Sequence, residues 1–334
     1  MPTAVPFQNP AGGLRVKAAV LYGPMDVRIE DVPEPELAPG GAIVRIRACA
    51  ICGSDTMMYR GDHPYSYPAI MGHEAAGEVV AVADDVQGVK VGDRITFWCH
   101  YGCFAEYACV PTAKVAIGHL ADSVTFEQGA NTQLLCAIMR GVECAELRGG
   151  ERVLVVGQGP VGLMTLQGAK AKGAGTTVGT DLCPNRIAMS ERLGADLALD
   201  GASLDWPDVV RDQVGEVDVV LDCMMDDQTP DRRAVNQAMG CLRSGGKYVM
   251  IGQGTQPRAL SALTLLSRLI TVVPSHQPME RVRAIMDRCC AWVADGAVDV
   301  TTFVTHRLPL GALTDGFDLA MNHQGEAIKV MVTI

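Results

Sequence analysis

Cys52, in the run Cys52-Gly53-Ser54-Asp55, is followed 21 residues later by His73, in Gly72-His73-Glu74. A thiolate and an imidazole suit a zinc ion, and ligands on two separate loops of a β-rich module can converge on one metal. A buried cysteine and a satisfied core histidine leave the same trace, so the pair alone reads either way. The second constellation is Gly157-Gln158-Gly159-Pro160-Val161-Gly162. There the first glycine makes a tight turn, the second lets backbone approach a pyrophosphate, and the third lets a helix sit close on its strand. The helix N-terminus would supply free N–H groups and partial positive charge to the phosphates. About twenty residues on, Asp181 ends an apolar run, where a carboxylate accepts both ribose hydroxyls of NAD and repels the 2′-phosphate of NADP. Arg186 lies five residues further, as a flank for the adenosine or as a solvated helix residue.

These residues need elements to hold them. From Arg15 to about Val115, short β-like runs alternate with Gly/Pro turns: Lys17–Leu21, Ala42–Ile46, Gly77–Ala81, Arg94–Trp98 and Phe104–Val110. Such spacing predicts a small all-β module. From about Asn131 to His276 the texture becomes strand–helix alternation, with apolar strands at Val153–Val156, Thr177–Thr180, Val217–Leu221, Tyr248–Ile251 and Leu269–Val273. Helical runs at Val161–Ala171, Asn185–Leu193 and Asp231–Leu242 separate them, which predicts a doubly wound parallel sheet covered on both faces. The remainder holds one long helical segment, Met279–Val293, and a closing strand, Ala327–Thr333, too short for a domain of its own. It is expected to pack back on the first module, giving one domain of residues 1–130 and 277–334 and a second of 131–276.

Composition narrows the function. A formal net charge of -10 without a basic block offers no electrostatic footprint for nucleic acid, and no polybasic patch or basic amphipathic helix addresses an anionic membrane. No apolar stretch approaches the length of a membrane span. The proline-containing N-terminus, lacking a basic region and an apolar core, reads as a loose leader rather than a signal peptide. Twelve cysteines in a chain of this length, with its own core, read as reduced thiols and a cytoplasmic location.

From Val16 onward the chain resembles the zinc-dependent medium-chain dehydrogenases, the alcohol, sorbitol and threonine dehydrogenase group. CGSD, GHEAAGEVV, VGDRI, FAEYACVP, GQGPVG and GEAIKV stand in that family's order and spacing. The resemblance implies an α/β plus β architecture, a Rossmann sheet inserted in a GroES-like β catalytic domain, and a homodimer or homotetramer. It implies NAD-dependent interconversion of a secondary alcohol, of polyol or amino-polyol type, and a ketone. Cys52 and His73 would be zinc ligands, Glu74 a carboxylate able to approach the metal, and Ser54 the acceptor of the substrate proton. Asp181 would hold the adenosine ribose, and Lys329 would sit near the cofactor phosphates or at a surface edge.

Three departures qualify this. The four-cysteine lobe that carries a structural zinc in relatives is missing, which leaves one catalytic ion; Cys99, Cys103 and Cys109 read as buried thiols, with Trp98 and Cys99 lining the substrate pocket. The third ligand position falls on Gln133, a neutral donor weaker than carboxylate, with Cys136 one turn on as another donor. The position of the relay histidine is Met57, which carries no proton, so release would go through water or a group such as His100. These losses keep two alternatives open: a zinc-free quinone- or enoyl-type reductase, and a non-catalytic nucleotide-binding relative.

Overall fold

The computed structural model describes residues 14–62, 65–98, 100–226, 229, 232–254 and 257–334. The stretch read as a leader, Cys99 and the expected helix start at Asp231 lie outside the described residues. The chain divides into two compact units, one of Met1–Cys136, Met279–Gly296 and Val300–Ile334, the other of Ala137–Pro278 with Ala297–Asp299. The first crossing falls inside a helix, because Phe126–Ala145 is continuous.

The first unit opens with strands β1 (Arg15–Gly23), β2 (Asp26–Pro33) and β3 (Gly41–Ala50), then helix α1 (Gly53–Arg60). Strands β4 (Ala69–Ile70), β5 (Glu74–Val82), β6 (Arg94–Trp98), β7 (Tyr107–Pro111) and β8 (Ala116–His119) follow, and helix α2 (Phe126–Ala145) leads out. The second unit alternates β9 (Arg152–Val156), α3 (Pro160–Ala171), β10 (Thr176–Asp181), α4 (Pro184–Arg192), β11 (Leu197–Asp200) and α5 (Trp206–Gln213). It continues through β12 (Val217–Asp222), α6 (Ala234–Cys241), β13 (Leu242–Met250), α7 (Ala262–Arg268) and β14 (Thr271–Pro274). The chain then completes the first unit with α8 (Met279–Ala294), β15 (Val304–Pro309), α9 (Leu313–Asn322) and β16 (Lys329–Thr333).

In the first unit β3 is the organising strand. It pairs antiparallel with β5, and on its other side with β7 along Gly41–Arg45 and with β16 along Ala48–Ala50. Alternation along β3 buries Ala42, Val44 and Ile46 in a cluster with Met71, Phe97, Phe104 and Phe317. Tyr59 of α1 stacks on Phe317 of α9 at 4.4 Å between centroids, and Phe104 meets the same ring edge-on at 6.2 Å. Each such pair adds about 0.5–1.5 kcal/mol beyond area burial. They fix α1, and with it the residues at its N-terminus.

The second unit is a parallel sheet in the order β11-β10-β9-β12-β13-β14. Its central strands are buried on both faces, as the continuous apolar runs required: Val153, Leu154, Val155, Val220 and Leu221 are fully inaccessible. Strand order reverses between β9 and β12, and in such sheets ligands bind outside the carboxyl ends at that point. One expectation is corrected here. The run Leu269–Val273 starts as a strand only at Thr271, because Leu269 adopts a left-handed conformation (φ +53) that ends α7. That helix was not read from sequence; Ser261 caps it by accepting the N–H of Thr264.

Candidate functional site

Cys52 is the N-cap of α1. Three residues in, Asp55 turns its carboxylate back to accept the Cys52 N–H at 2.9 Å, as an N3 acid does in a capping box. Asp55 is fully buried, and its other oxygen accepts the Gly72 N–H at 3.3 Å and lies 3.3 Å from His73 Nδ1. One carboxylate therefore ties the Cys52 turn to the His73 turn. Gly72 is required there: its φ is +85, and a Cβ would meet the Phe104 ring and backbone at 2.8 Å. Register completes the assembly, since Glu74 opposes Ala50, two residues before Cys52. The ligand atoms of Cys52, His73 and Glu74 lie within 4.8 Å of one another.

The surroundings are electronegative. Burial acts most strongly on His73 and disfavours its charged form, yet Asp55 and Cys52 outweigh it and raise its pKa well above the ordinary value. One oxygen of the fully buried Glu74 is paired with Lys329, and its Oε1 has no partner. A group that favours positive charge, a thiol, an imidazole held by a carboxylate, and an unpartnered carboxylate oxygen fit a zinc ion. Gln133, on α2, is also buried, and its carboxamide oxygen is unpartnered, as a neutral ligand would be. Cys136 is not part of the cluster; its thiol donates to the Val282 carbonyl at 3.7 Å.

Lys329 is the clearest correction among the expected site residues. It is not at a surface edge: it is 3% exposed, and its ammonium donates to Glu74 and, at 3.0 Å, to the Ile51 carbonyl. Pairing of β16 with β3 buries it beside the end of β3, where only a carboxylate compensates its charge. His100 is also buried, which lowers its pKa to about 4, so the ring is neutral near pH 7 and a poor store for a proton. Trp98 is half-buried at the end of β6, and Met57 and Met58 are buried.

Two residues were missed in the sequence. Asp55 stood in the quoted motif, and its position three residues into a helix was the available signal. Tyr101 had none. Its ring lies 4.7 Å from that of His73.

The second unit presents the glycine turn. Gly157 (φ +86) donates its N–H to the Thr180 carbonyl at 2.8 Å. At Gly162 a Cβ would stand 1.7 Å from the Gly157 oxygen, so only glycine lets α3 begin this close to β9. Gly159 caps α3 with open space beside it, and Pro160 takes the first helical position, where no N–H is needed. Val161, Gly162 and Leu163 follow, and the Leu163 N–H already closes on the Gly159 carbonyl at 2.9 Å. Asp181 accepts the Gln158 N–H at 2.6 Å and the Cys183 N–H at 2.9 Å, and Arg186 lies 4.0 Å from it. Asp181 thus shapes the turn. Beyond β12, the fully buried Asp222 accepts from Tyr248 at 2.7 Å and pairs with Arg258, a link that no local pattern announced.

Residues 38–120 match the family model for the alcohol dehydrogenase GroES-like domain, and residues 160–291 that for zinc-binding dehydrogenase. Sorbitol dehydrogenase from Mus musculus is 29% identical, the match covering 94% of each chain. That from Bombyx mori is also 29% identical, over 95% of this chain and 98% of its own. Among solved structures, the alcohol dehydrogenase TADH from Thermus sp. ATN1 superposes with a TM-score of 0.84 at 25% identity, covering 95% of this chain and 99% of that one. The 2R,3R-butanediol dehydrogenase from Bacillus subtilis gives 0.82 at 25%, covering 96% and 99%. Fold and site together define a medium-chain dehydrogenase with a GroES-like β domain and a Rossmann sheet. The chain belongs to the zinc-dependent members of that family: it is an oxidoreductase acting on CH–OH groups, with NAD(P) and a catalytic zinc as cofactors. Among the described residues no helix is long and apolar enough to cross a membrane.

Proposed function

We propose that this protein is an NAD-dependent dehydrogenase of secondary alcohols of the polyol type, with residues 1–130 and 277–334 as catalytic domain and 131–276 as the NAD-binding domain. The observation that carries the reading is the convergence of Cys52, His73 and Glu74 on one small volume, on a chain that also bears the glycine turn and Asp181. The named relatives act on sorbitol and butanediol, which supports the polyol class.

Cys52, His73 and Gln133 would hold the zinc, with Glu74 within reach. Bound zinc supplies Lewis acidity to the alcohol oxygen, and bound NAD accepts the hydride. Ser54 accepts the proton of the substrate hydroxyl, a task within reach of so weak a base only once that hydroxyl is acidified. Asp55, 3.3 Å from His73 Nδ1, would leave Nε2 to the metal. Lys329 neutralises Glu74. The N–H groups of Gly159, Val161 and Gly162 would bind the pyrophosphate where Pro160 starts α3, and Asp181 would accept the ribose hydroxyls, with Arg186 beside it.

Location in the cytoplasm is supported by the described cysteines, which are free thiols. Assembly into a homodimer or homotetramer is supported by the outer edge of β14. On α7 and at its C-terminal end, Leu263, Leu266 and Leu269 are 78%, 76% and 70% exposed.

Zinc per chain, measured by mass spectrometry on protein purified without added metal, tests the reading. One ion per chain is expected, lost in Cys52→Ala and His73→Ala together with alcohol oxidation. Protein that takes up no zinc even on reconstitution would overturn it. Asp181→Ser should move the preference from NAD toward NADP, read as the ratio of kcat/KM for the two cofactors.

A further inference from the structure

Three loops leave the carboxyl ends of adjacent strands in the parallel sheet: the glycine turn after β9, residues 223–226 after β12 and residues 251–254 after β13. Arg258 joins the last two. Its guanidinium donates to the carbonyls of Met224, of Met225 at 3.2 Å and of Gly252 at 3.2 Å. It also pairs with the carboxylate of Asp222, the last residue of β12. Asp222 is fully buried, and accepts the Tyr248 hydroxyl from β13 at 2.7 Å and the Met224 N–H at 3.0 Å. The two loops are pressed together as well as bonded. A Cβ at Gly252 would fall on the Met224 oxygen and one at Gly254 on the Met225 oxygen, so the close approach requires glycine at both. The β12 loop in turn lies against the glycine turn, since a Cβ on Gly157 would stand 3.3 Å from the Met224 nitrogen.

A buried ion pair is a costly way to hold a sheet, because apolar side chains of similar volume often stabilise as well or better. What the planar guanidinium adds is direction, since its rigid fork fixes several acceptors at once. The Arg258 side chain is only 12% exposed, whereas Met225, Gln253 and Gly254 on the loops it bonds are open to solvent. The loops are thus anchored from beneath and present their outer face. Their place in the sheet says to what. Asp181 ends β10 on one side of β9, and β12 and β13 lie on the other. A dinucleotide with its pyrophosphate on the glycine turn and its adenosine at Asp181 spans the reversal of strand order, so its other half extends over the ends of β12 and β13.

We propose that Arg258 is a positioning residue for the nicotinamide half of the cofactor. It acts through Asp222 and the carbonyls of Met224, Met225 and Gly252, which hold the two loops on which that half rests. The inference rests on the dehydrogenase reading and deepens it, by naming what keeps the hydride acceptor in place. Placement of the reacting groups is where small shifts are costly, about 100-fold in rate for a displacement of about 1 Å. The adenosine half, across β9, lies outside this clamp.

ADP-ribose has the adenosine, pyrophosphate and second ribose of NADH but no nicotinamide, so the ratio of the two affinities isolates the half in question. Each ligand is titrated calorimetrically into the zinc-loaded enzyme and its variants. Arg258→Met should weaken NADH binding about 10-fold and leave ADP-ribose within about 2-fold. That variant strands a buried carboxylate, so Asp222→Asn/Arg258→Met removes both charges; it should melt nearer the parent and keep the altered ratio. Asp218→Asn, at the opposite end of β12, should lower the melting temperature with the ratio unchanged. A ratio unchanged in Arg258→Met, an equal loss for both ligands, or a ratio that returns with the melting temperature in the double variant overturns the inference. So does an equal shift in Asp218→Asn. In each of those cases binding by the parent still upholds the dehydrogenase reading. A parent that binds neither NADH nor ADP-ribose sinks that reading, and the inference with it.

Discussion

Asp55 shows how much of a metal site can rest on a residue that never touches the metal. Its carboxylate receives two backbone N–H groups from different turns and faces the imidazole of His73. Carboxylates behind ligating histidines orient the ring and strengthen it as a donor. Asp55→Asn keeps the shape and one acceptor but loses the charge, so zinc affinity is expected to fall about 10- to 100-fold. Competition with a chelator checks this, and an unchanged affinity would show that Asp55 serves only the helix cap. Gln133 makes the opposite prediction. With Cys52 as the anionic member and Glu74 engaged by Lys329, Gln133→Glu adds the missing negative charge and should slow zinc loss to the chelator.

At the scale of elements, the Rossmann sheet is closed at its base by Asp218 of β12. It accepts the Arg152 N–H at the start of β9 at 2.8 Å and pairs with Arg243 of β13 at 2.6 Å, so one side chain ties three adjacent strands. Burial works against its charge, but the Arg243 and Arg152 bonds overcome it and hold the carboxyl below the ordinary carboxylate value. A carboxyl with a lowered folded-state pKa contributes stability above its unfolded pKa, near 3.9, and that contribution is lost as pH falls through the folded value. Asp218→Asn should therefore cost about 1–2 kcal/mol at pH 7. The gap in melting temperature from the parent should close as pH falls below about 4. A gap that persists to acid would mean that packing, not charge, explains the loss. At the other end of β9, Gly162→Ala places a methyl against the Gly157 carbonyl and should weaken NAD binding, read by fluorescence titration of NADH, more than it lowers melting temperature.

For the whole molecule, the outer edge of β14 matters most. Among the described residues no strand pairs with it, and a bare strand edge in a unit that also exposes three leucines is an aggregation hazard unless another copy covers it. Light scattering on the purified chain should report a dimer or tetramer, and Leu266→Lys should shift it toward monomer while leaving zinc content intact. A monomer at all concentrations would remove the edge-to-edge assembly.

Strands at β3, β5, β6, β9, β10, β12 and β13 were legible because alternation or unbroken apolar runs report burial directly. The glycine turn and Asp181 were legible for a related reason: strand, turn and helix are contiguous, so local backbone geometry is written in adjacent residues. Helix α7 escaped because Leu263 and Leu266 face outward and mimic a buried run. Cys52 and His73 could be named as a pair from their types, but their approach depends on the β3–β5 register and on Asp55. Lys329 was misplaced because its partner Glu74 is 255 residues away in sequence and meets it only through the pairing of β16 with β3. Tyr101 had no local signature at all. Spacing along the chain therefore determined the nucleotide turn and the class of chemistry, since both follow from short-range backbone geometry and side-chain type. Tertiary structure alone decided which charges are paired and which buried oxygens are left without a partner, because those depend on contacts between residues that the sequence holds far apart.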